Sequence, residues 1–298
     1  MELLSVDDHI TAIDHNLLGL PGVGVTYVVR GESIALIETG TSLTVPQTLA
    51  GLAQLAIQPE AVDHIICTHL HMDHSGGAGY LAAALPRASV YIHSMSMPHL
   101  VDPSKLMSSV RRAVGEEAWP LHGDFKPIPE ARMRPAEALR LDLGRDVMLE
   151  AIATPGHSPD HLAYRDLKSG GLFMGDAACL VMDRWDLALP VTPAPAYDLQ
   201  AQRNTIAHIQ SLNLPSIYLT HYGAHSNVSF QLQRASEQID ALVDLIDRAI
   251  SAGESDVATL AARWLPYPSD SPGGLVARSW SQMSIAGMLR YETKRRQG

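Results

Sequence analysis

The sequence predicts an α/β fold, and three observations carry this prediction. Short apolar segments typical of strands alternate with longer segments whose apolar residues recur at helical spacing. Several of the predicted strands end directly in a histidine or an aspartate. From about residue 226 onward the apolar pattern is helical, with Ile239, Leu242 and Leu245 at helical spacing. We therefore predict an α/β domain over residues 1–225 and a helical extension packed on it over residues 226–298.

Within the α/β domain, the predicted elements alternate along the chain. Two apolar runs flanking Arg30-Gly31-Glu32 predict a hairpin of strands 24–29 and 33–38, and the apolar repeat that follows predicts a helix over 45–57. The further elements of the first half are a strand over 63–68, a helix over 79–85, a strand over 89–93 and a helix over about 103–117. Those of the second half are strands near 147–153, 160–165, 171–175 and 216–219, and a helix near 198–212.

Composition excludes several classes of protein. The 298 residues are 46% hydrophobic, which is enough for one large core, and the formal net charge of −10 disfavours a nucleic-acid surface. No apolar run is long enough to cross a membrane, and the first residues lack the basic and apolar regions of a signal peptide. Only two cysteines, Cys67 and Cys179, are present, so a structural disulfide is not expected. These features predict a cytoplasmic protein.

The most informative segment is Thr68-His69-Leu70-His71-Met72-Asp73-His74, which follows the predicted strand over 63–68. If that strand continues through His71, side chains two residues apart project to one face, and His69 and His71 converge on one point. The run Ser75-Gly76-Gly77 indicates a turn into a helix, which allows Asp73 and His74 to face a second point nearby. Imidazole and carboxylate groups at this spacing are typical of metal ligands.

Three later strand ends supply further residues of the same chemistry. His157 follows the strand near 147–153, Asp176 ends the strand near 171–175, and His221 follows the strand near 216–219. A single histidine or aspartate after a strand is more often a turn residue than a ligand. Their recurrence in three places, in addition to the histidine cluster, favours a shared metal site.

These motifs, in this order, resemble those of the metallo-β-lactamase superfamily, whose five motifs run along an αββα sandwich. The matching positions are Glu38-Thr39-Gly40, His69 to His74, His157, Asp176 and His221. The resemblance covers about residues 9 to 225. It implies that residues 1–225 form a catalytic domain with the four-layer αββα sandwich, followed by the C-terminal helical extension.

The resemblance also implies the ligands of two divalent metal ions. One ion is held by His69, His71 and His157, a second by Asp73, His74 and His221, and Asp176 bridges both. Zinc is the expected metal, and iron and manganese are alternatives because imidazole and carboxylate ligands suit all three.

Three other residues are candidate supporting groups. The family usually has an aspartate where this chain has Glu38, so the longer carboxylate puts the orientation of the site in question. A competing interpretation makes Glu38 the N-terminal cap of the helix that starts near Thr44. His161 and Tyr222 lie next to ligand motifs, where they are expected to orient ligands or to contact substrate.

The chemistry of such a site predicts a hydrolase. Two metal ions held close together lower the pKa of a bridging water and make hydroxide available near neutral pH. Asp73 and Asp176 are the predicted catalytic carboxylates, because either can orient the nucleophile or receive a proton. Small esters, lactones, thioesters and phosphotriesters are the expected substrates. A dedicated acyl-homoserine lactonase is disfavoured, since such lactonases carry a tyrosine where this chain has Cys179.

Two other functions stay open. An iron-dependent redox enzyme of the same fold, similar to a persulfide dioxygenase, would use the same ligands. A non-enzymatic metal-binding regulatory protein would keep the fold, although the full ligand set argues against it. The expected partner is a small-molecule substrate, with neither a nucleic acid nor a membrane, and a homodimer suits the sequence about as well as a monomer.

Overall fold

The computed structural model of this protein describes residues 2–114, 119–182, 187–265 and 272–297. Part of the helix predicted over 103–117 therefore lies outside the described residues. The chain divides into two compact units, here called unit 1 and unit 2. Unit 1 comprises Met1–Ala153, Leu162–Gly175 and Pro215–His225, and unit 2 comprises Thr154–His161, Asp176–Leu214 and Ser226–Gly298. Unit 2 thus contains the whole predicted C-terminal extension and two earlier segments besides.

The first sheet of unit 1 has seven strands, ordered as they occur in the sequence. They are β1 (Leu3–Asp7), β2 (Ile10–Asp14), β3 (Val25–Arg30), β4 (Ile34–Ile37), β5 (Val62–Ile66), β6 (Ser89–Ile92) and β7 (Met133–Pro135). Neighbours from β1 to β4 pair antiparallel, whereas β4 to β7 pair parallel. The predicted hairpin and the strands near 63–68 and 89–93 are confirmed, while the sequence analysis missed β1, β2 and β7.

The second sheet, also in unit 1, has six strands in the order β15-β14-β11-β10-β9-β8. Their ranges are β8 (Arg140–Gly144), β9 (Val147–Ala153), β10 (Leu162–Asp166), β11 (Leu172–Gly175), β14 (Ile217–Leu219) and β15 (Gly223–His225). Only β11 and β14 pair parallel. The four strands predicted for the second half of the chain are all present, and β8 and β15 were missed.

Strand β3 shows why strands of the first sheet are apolar at nearly every position. Its side chains alternate between two cores: Val28 contributes to one, and Tyr27 and Val29 to the other. The core containing Tyr27 also includes Leu149 and Phe173 of the second sheet. A strand buried on both faces gains from apolar residues at every position, and the alternation of apolar and polar residues disappears.

The helices of unit 1 follow strands of the first sheet and contribute to the core that contains Val28. They are α1 (Val45–Gln54), α2 (Met72–Ser75), α3 (Ala78–Ala84), α4 (Met97–Val101), α5 (Ser104–Val114) and α6 (Trp119–His122). In α1 a proline occupies the first turn, where the absence of an N–H group costs no hydrogen bond.

Unit 2 is predominantly helical. It contains a two-stranded sheet of β12 (Leu180–Met182) and β13 (Leu187–Leu189), with helices α7 (Leu199–Ser211), α8 (Val228–Ser251), α9 (Val257–Trp264) and α10 (Pro272–Gln297). The side chain of Asp198 caps α7 and that of Asp256 caps α9. The helical prediction beyond residue 226 is confirmed, and none of the described helices has the length and hydropathy of a membrane span.

Candidate metal centre

The histidine segment does not continue strand β5, so the condition under which the pleat of a strand would bring His69 and His71 together is not met. The strand ends at Ile66, and the backbone N–H groups of His74 and Ser75 both donate to the carbonyl of His71. His71 is therefore the N-cap residue of α2: its backbone is still extended, with φ −61° and ψ 153°, but it lies outside the sheet. His69 and His71 still lie together, with His71 Nδ1 2.8 Å from His69 Nε2, because the loop rather than the pleat of a strand brings them into contact.

A second group of candidate ligands lies within unit 1. Asp73, His74 and His221 each offer one ligand atom, and these three atoms lie within 4.8 Å of one another. His221 Nε2 is 3.4 Å from a carboxylate oxygen of Asp73 and 3.3 Å from His74 Nε2. Both imidazoles are buried. Helix α2 supplies Asp73 and His74, and the loop after β14 supplies His221.

The tautomers of the two histidines follow from their other ring nitrogens. His221 Nδ1 lies 2.7 Å from the carbonyl oxygen of Val23, which can only accept, so this nitrogen donates. His74 Nδ1 lies 2.8 Å from a carboxylate oxygen of Glu38 and donates in the same way. In neutral rings the two Nε2 atoms then carry lone pairs, and two lone pairs 3.3 Å apart repel each other unless a proton or a metal ion lies between or beside them.

Glu38 is the centre of the hydrogen bonds that support this group. One of its carboxylate oxygens accepts from Thr68 Oγ1 at 2.6 Å, His74 Nδ1 at 2.8 Å and Thr220 Oγ1 at 3.0 Å. The side chain is buried, and its backbone φ of 69° is in the left-handed region that non-glycine residues rarely adopt. Such a strained position persists only where the surrounding contacts over-determine it.

The alternative role of Glu38 as a helix cap is wrong. The side chain that caps the turn at Ser42–Thr44 belongs to Thr41, which accepts from the backbone N–H of Leu43. The longer carboxylate at position 38 instead reaches the hydroxyl groups and the imidazole named above. Glu38 therefore orients His74. It also supports His69 through a chain of hydrogen bonds, because Thr68 Oγ1, which donates to Glu38, lies 2.9 Å from His69 Nδ1.

Unit 2 holds the other two candidate ligands. His157 Nε2 lies 3.4 Å from a carboxylate oxygen of Asp176, and both side chains are buried. His157 Nδ1 lies 2.8 Å from the carbonyl oxygen of Val191, so it donates there and leaves the lone pair on Nε2. The pattern found at His221 therefore recurs at His157.

His161 supports Asp176 through the backbone. The N–H of Asp176 donates to His161 Nε2 at 3.0 Å, so the other nitrogen of the neutral ring carries the proton and donates to Thr154 Oγ1 at 2.8 Å. Tyr222, the third candidate supporting residue, is partly buried and packs against the core that contains residues of both sheets of unit 1. Its hydroxyl donates to a carboxylate oxygen of Asp14 at 3.3 Å.

One residue near the Asp73–His74–His221 group was missed by the sequence analysis. His15 follows β2, is fully buried, and makes no side-chain hydrogen bond through either ring nitrogen within the described part of the chain. Burial, and secondarily the nearby His221 and His74, lowers the pKa of His15 to about 3, with Asp73 opposing the shift. No sequence signal marks His15, because its neighbourhood is created by segments far along the chain.

The donor chemistry of these residues fits divalent metal ions. Histidines whose Nδ1 donates to a carbonyl or a carboxylate present Nε2 as a ligand, which is the arrangement found at protein-bound zinc and iron. His74, His157 and His221 all show it. The nearby Asp73 and Asp176 add oxygen donors, and this mixture of nitrogen and oxygen suits zinc, iron or manganese.

A family profile described as the metallo-beta-lactamase superfamily matches residues 19–221, more than half of the chain. The chain belongs to the metallo-β-lactamase superfamily. Its two sheets with flanking helices are the αββα fold of that superfamily, as predicted, and the match ends at the ligand candidate His221. Two proteins similar to this superfamily member carry the names of hydrolases, a thioesterase and a subclass B3 metallo-beta-lactamase.

Three individual proteins have low sequence identity to this superfamily member. The chain is 30% identical over 155 residues to the uncharacterized protein YobT of Bacillus subtilis, covering 51% of this chain and 60% of YobT. It is 26% identical over 208 residues to the metallo-beta-lactamase fold-containing protein ST1585 of Sulfurisphaera tokodaii, covering 68% of this chain and 74% of that protein. It is 26% identical over 183 residues to the thioesterase pkgB of Emericella nidulans, covering 58% of this chain and 43% of that protein.

Solved structures show the same fold. The crystal structure of ST1585, described as an archaeal metallo-beta-lactamase superfamily protein, superposes with a TM-score of 0.70 at 20% identity, covering 95% of this chain and 98% of that one. BJP-1, a subclass B3 metallo-beta-lactamase of Bradyrhizobium japonicum, superposes with a TM-score of 0.60 at 18% identity, covering 85% and 97%. The chain spans 60% of YobT and 38% of the lactamase-like protein nscB of Neosartorya fischeri, so whole-protein activities of such relatives do not transfer directly.

Proposed function

We propose that this protein is a dinuclear metal-dependent hydrolase acting on small esters, lactones, thioesters or phosphotriesters. The observation that carries the proposal is the group of Asp73, His74 and His221, whose ligand atoms lie within 4.8 Å of one another, with His221 Nε2 3.3 Å from His74 Nε2 and 3.4 Å from the carboxylate of Asp73. Two imidazole nitrogens and a carboxylate oxygen at this spacing suit a divalent metal ion. Membership of the superfamily and the donor pair His157 and Asp176 in unit 2 support a second ion.

In this proposal Asp73, His74 and His221 would hold one ion, His69, His71 and His157 would hold the other, and Asp176 would serve both. Bound together, two such ions would supply a nucleophilic hydroxide near neutral pH and polarise the oxygen of the substrate. Asp73 and Asp176 would act as catalytic carboxylates that orient the nucleophile or receive its proton. Glu38 fixes the tautomer of His74.

The class of bond that the enzyme would cleave is inferred from the chemistry of the metal site more than from the names of its relatives. Carbonyl and phosphoryl oxygens are polarised alike by divalent ions, which keeps esters, lactones, thioesters and phosphotriesters together as one group. The name of the thioesterase pkgB supports including thioesters among the tested substrates. Zinc is the metal that we propose, since hydrolysis requires no change of oxidation state.

The experiment combines metal analysis with a substrate panel. Protein purified without added metal is analysed for zinc, iron and manganese and then assayed with an aryl ester, a lactone, an acyl thioester and an aryl phosphotriester. We expect about two equivalents of zinc and turnover of at least one substrate. His221→Ala and Asp176→Ala should each lower kcat/KM by more than about 100-fold, because each removes a direct ligand.

A matched control separates ligand loss from a general effect of removing a histidine. His64 lies on β5 in unit 1 with its ring near that of Tyr91, and His64→Gln should keep both the metal content and the activity of the wild type. Two equivalents of bound iron together with oxygen consumption would contradict the hydrolase and support the iron-dependent redox enzyme. Full metal content without turnover of any panel substrate would favour the regulatory alternative.

A further inference from the structure

His15 is a buried imidazole beside the candidate ligands of unit 1. Both ring nitrogens lack a side-chain hydrogen-bond partner within the described residues, and the ring is fully shielded from solvent. Such an unsatisfied buried group is unfavourable and calls for a partner such as an ion or an ordered water. Because burial lowers its pKa to about 3, the ring is neutral near pH 7 and offers one donor and one acceptor.

The position of His15 follows from two segments of unit 1 that also orient candidate ligands. The backbone N–H of His15 donates to the carbonyl of Gly24, and the preceding residue, Val23, accepts from His221. The second segment contains Gly40, and a Cβ atom built at this glycine would lie 3.0 Å from His15 Nε2. Thr39, next to Gly40, donates to the carbonyl of His74 through its backbone N–H and its hydroxyl.

The two glycines leave the space that the imidazole occupies. A Cβ atom at Gly24 would approach His15 Cε1 to 2.6 Å, and one at Gly40 would approach Cε1 to 3.1 Å. Ordinary side chains at these positions would displace the ring. His15 therefore lies between the segment that contacts His221 and the segment that contacts His74.

We propose that His15 is a positioning residue for the metal ion held by Asp73, His74 and His221, and that its Nε2 hydrogen-bonds to water in the coordination sphere of that ion. This inference rests on the proposed function, since it requires a metal at that group. Nε2 is the nitrogen on the side of Gly40 and hence of the segment that contacts His74. An imidazole held there would orient the water without ligating the ion itself.

The test measures metal affinity rather than turnover alone. Apo protein is titrated with Zn²⁺ in competition with a chromophoric chelator, and the Co²⁺-substituted protein is examined by its visible absorption spectrum. In His15→Leu we expect one of the two metal equivalents to bind about 10- to 100-fold more weakly, the range for loss of a residue that supports a metal site from outside the ligand set. The Co²⁺ spectrum should change with it.

Two conservative variants distinguish hydrogen bonding from packing. The side-chain amide of glutamine reaches the position of Nε2, whereas that of asparagine reaches only the position of Nδ1. His15→Gln should retain the wild-type affinity within about 3-fold, and His15→Asn should lose about as much as His15→Leu. If His15→Leu fails to fold, the comparison of glutamine with asparagine decides.

A histidine elsewhere in unit 1 provides the control. His64 on β5 also has a ring nitrogen without a hydrogen-bond partner in the described structure, and His64→Gln should bind both metal equivalents as the wild type does. Unchanged affinity and Co²⁺ spectra in the His15 variants, or equal losses in the glutamine and asparagine variants, would overturn the role of His15. Failure of the wild type to bind metal would instead refute the proposed function.

Discussion

The candidate ligand His74 of unit 1 and the two candidate ligands of unit 2 are held by different kinds of support. In unit 1, His74 is oriented by the carboxylate of Glu38, a buried charged group that also accepts from Thr68 and Thr220. In unit 2, His157 is oriented by the carbonyl of Val191, and Asp176 by the neutral ring of His161. Hydrogen bonds to a buried charge are stronger than those between neutral groups, and their loss costs more. The two groups should therefore respond differently to the removal of a supporting residue.

The largest effect is expected at Glu38. Glu38→Ala leaves the hydroxyl groups of Thr68 and Thr220 and the Nδ1–H of His74 buried without their acceptor, and should lower the free energy of unfolding by about 3–5 kcal/mol. Urea denaturation measures this change. Glu60→Ala, at an exposed position of the same unit, should change stability by less than about 0.5 kcal/mol. A similarly small change at Glu38 would show that its carboxylate does not organise the site.

A subtler variant addresses the departure from the aspartate that the family usually has at this position. Glu38→Asp keeps the charge but shortens the side chain by one methylene group. We expect it to destabilise the protein less than Glu38→Ala, and to weaken metal binding because His74 loses its alignment. Wild-type metal affinity in this variant would mean that the length of the carboxylate is not matched to its three partners.

A smaller effect is expected at His161 in unit 2. His161→Leu removes the acceptor of the Asp176 N–H and the donor to Thr154, which are neutral groups, and should cost about 1–3 kcal/mol in the same measurement. His208→Ala, an exposed histidine on α7, is the matched control. If His161→Leu destabilises the protein as much as Glu38→Ala, the contrast between charged and neutral support does not hold.

The smallest effect concerns the two thiols, one in each unit. Burial raises the pKa of Cys67 well above its usual value, with the charge of Glu38 adding to the shift, and burial raises the pKa of Cys179 to about 12. Because the thiolate is the reactive form, neither should react with an aromatic disulfide reagent at pH 8 on the timescale of minutes. In concentrated urea, two equivalents should react at once.

The order of any slow reaction compares the local stability of the two units. Cys67 directly follows β5, an interior strand of the seven-stranded sheet, whereas Cys179 precedes the two-stranded sheet of β12 and β13. Cys179 should therefore react first, as identified by peptide mass analysis, because opening its surroundings breaks fewer contacts. Faster labelling of Cys67 would place the weaker region in unit 1.

Local features of the sequence were enough to predict much of the fold. The hairpin around Arg30-Gly31-Glu32 and the strand over 147–153 depend on residues close together in the chain, and both were found. The strands β1 and β2 were missed because they lack a clear alternation between apolar and polar residues. Four other missed strands, β7, β12, β13 and β15, have three residues each and are too short to show a period, whereas β14, of the same length, was predicted from its apolar residues before His221.

The candidate site divides in the same way. The sequence by itself determined which residues carry metal-binding chemistry, because closely spaced imidazoles and carboxylates after predicted strands can be recognised in it. The order of these residues indicated the superfamily. Only the tertiary structure decided how they are oriented: that His69 and His71 meet in a loop, that Glu38 bonds to Thr220 182 residues away, and that His15 is buried beside His74 and His221. Hydrogen bonds and burial between distant segments arise only when the sheets assemble, so no local pattern encodes them.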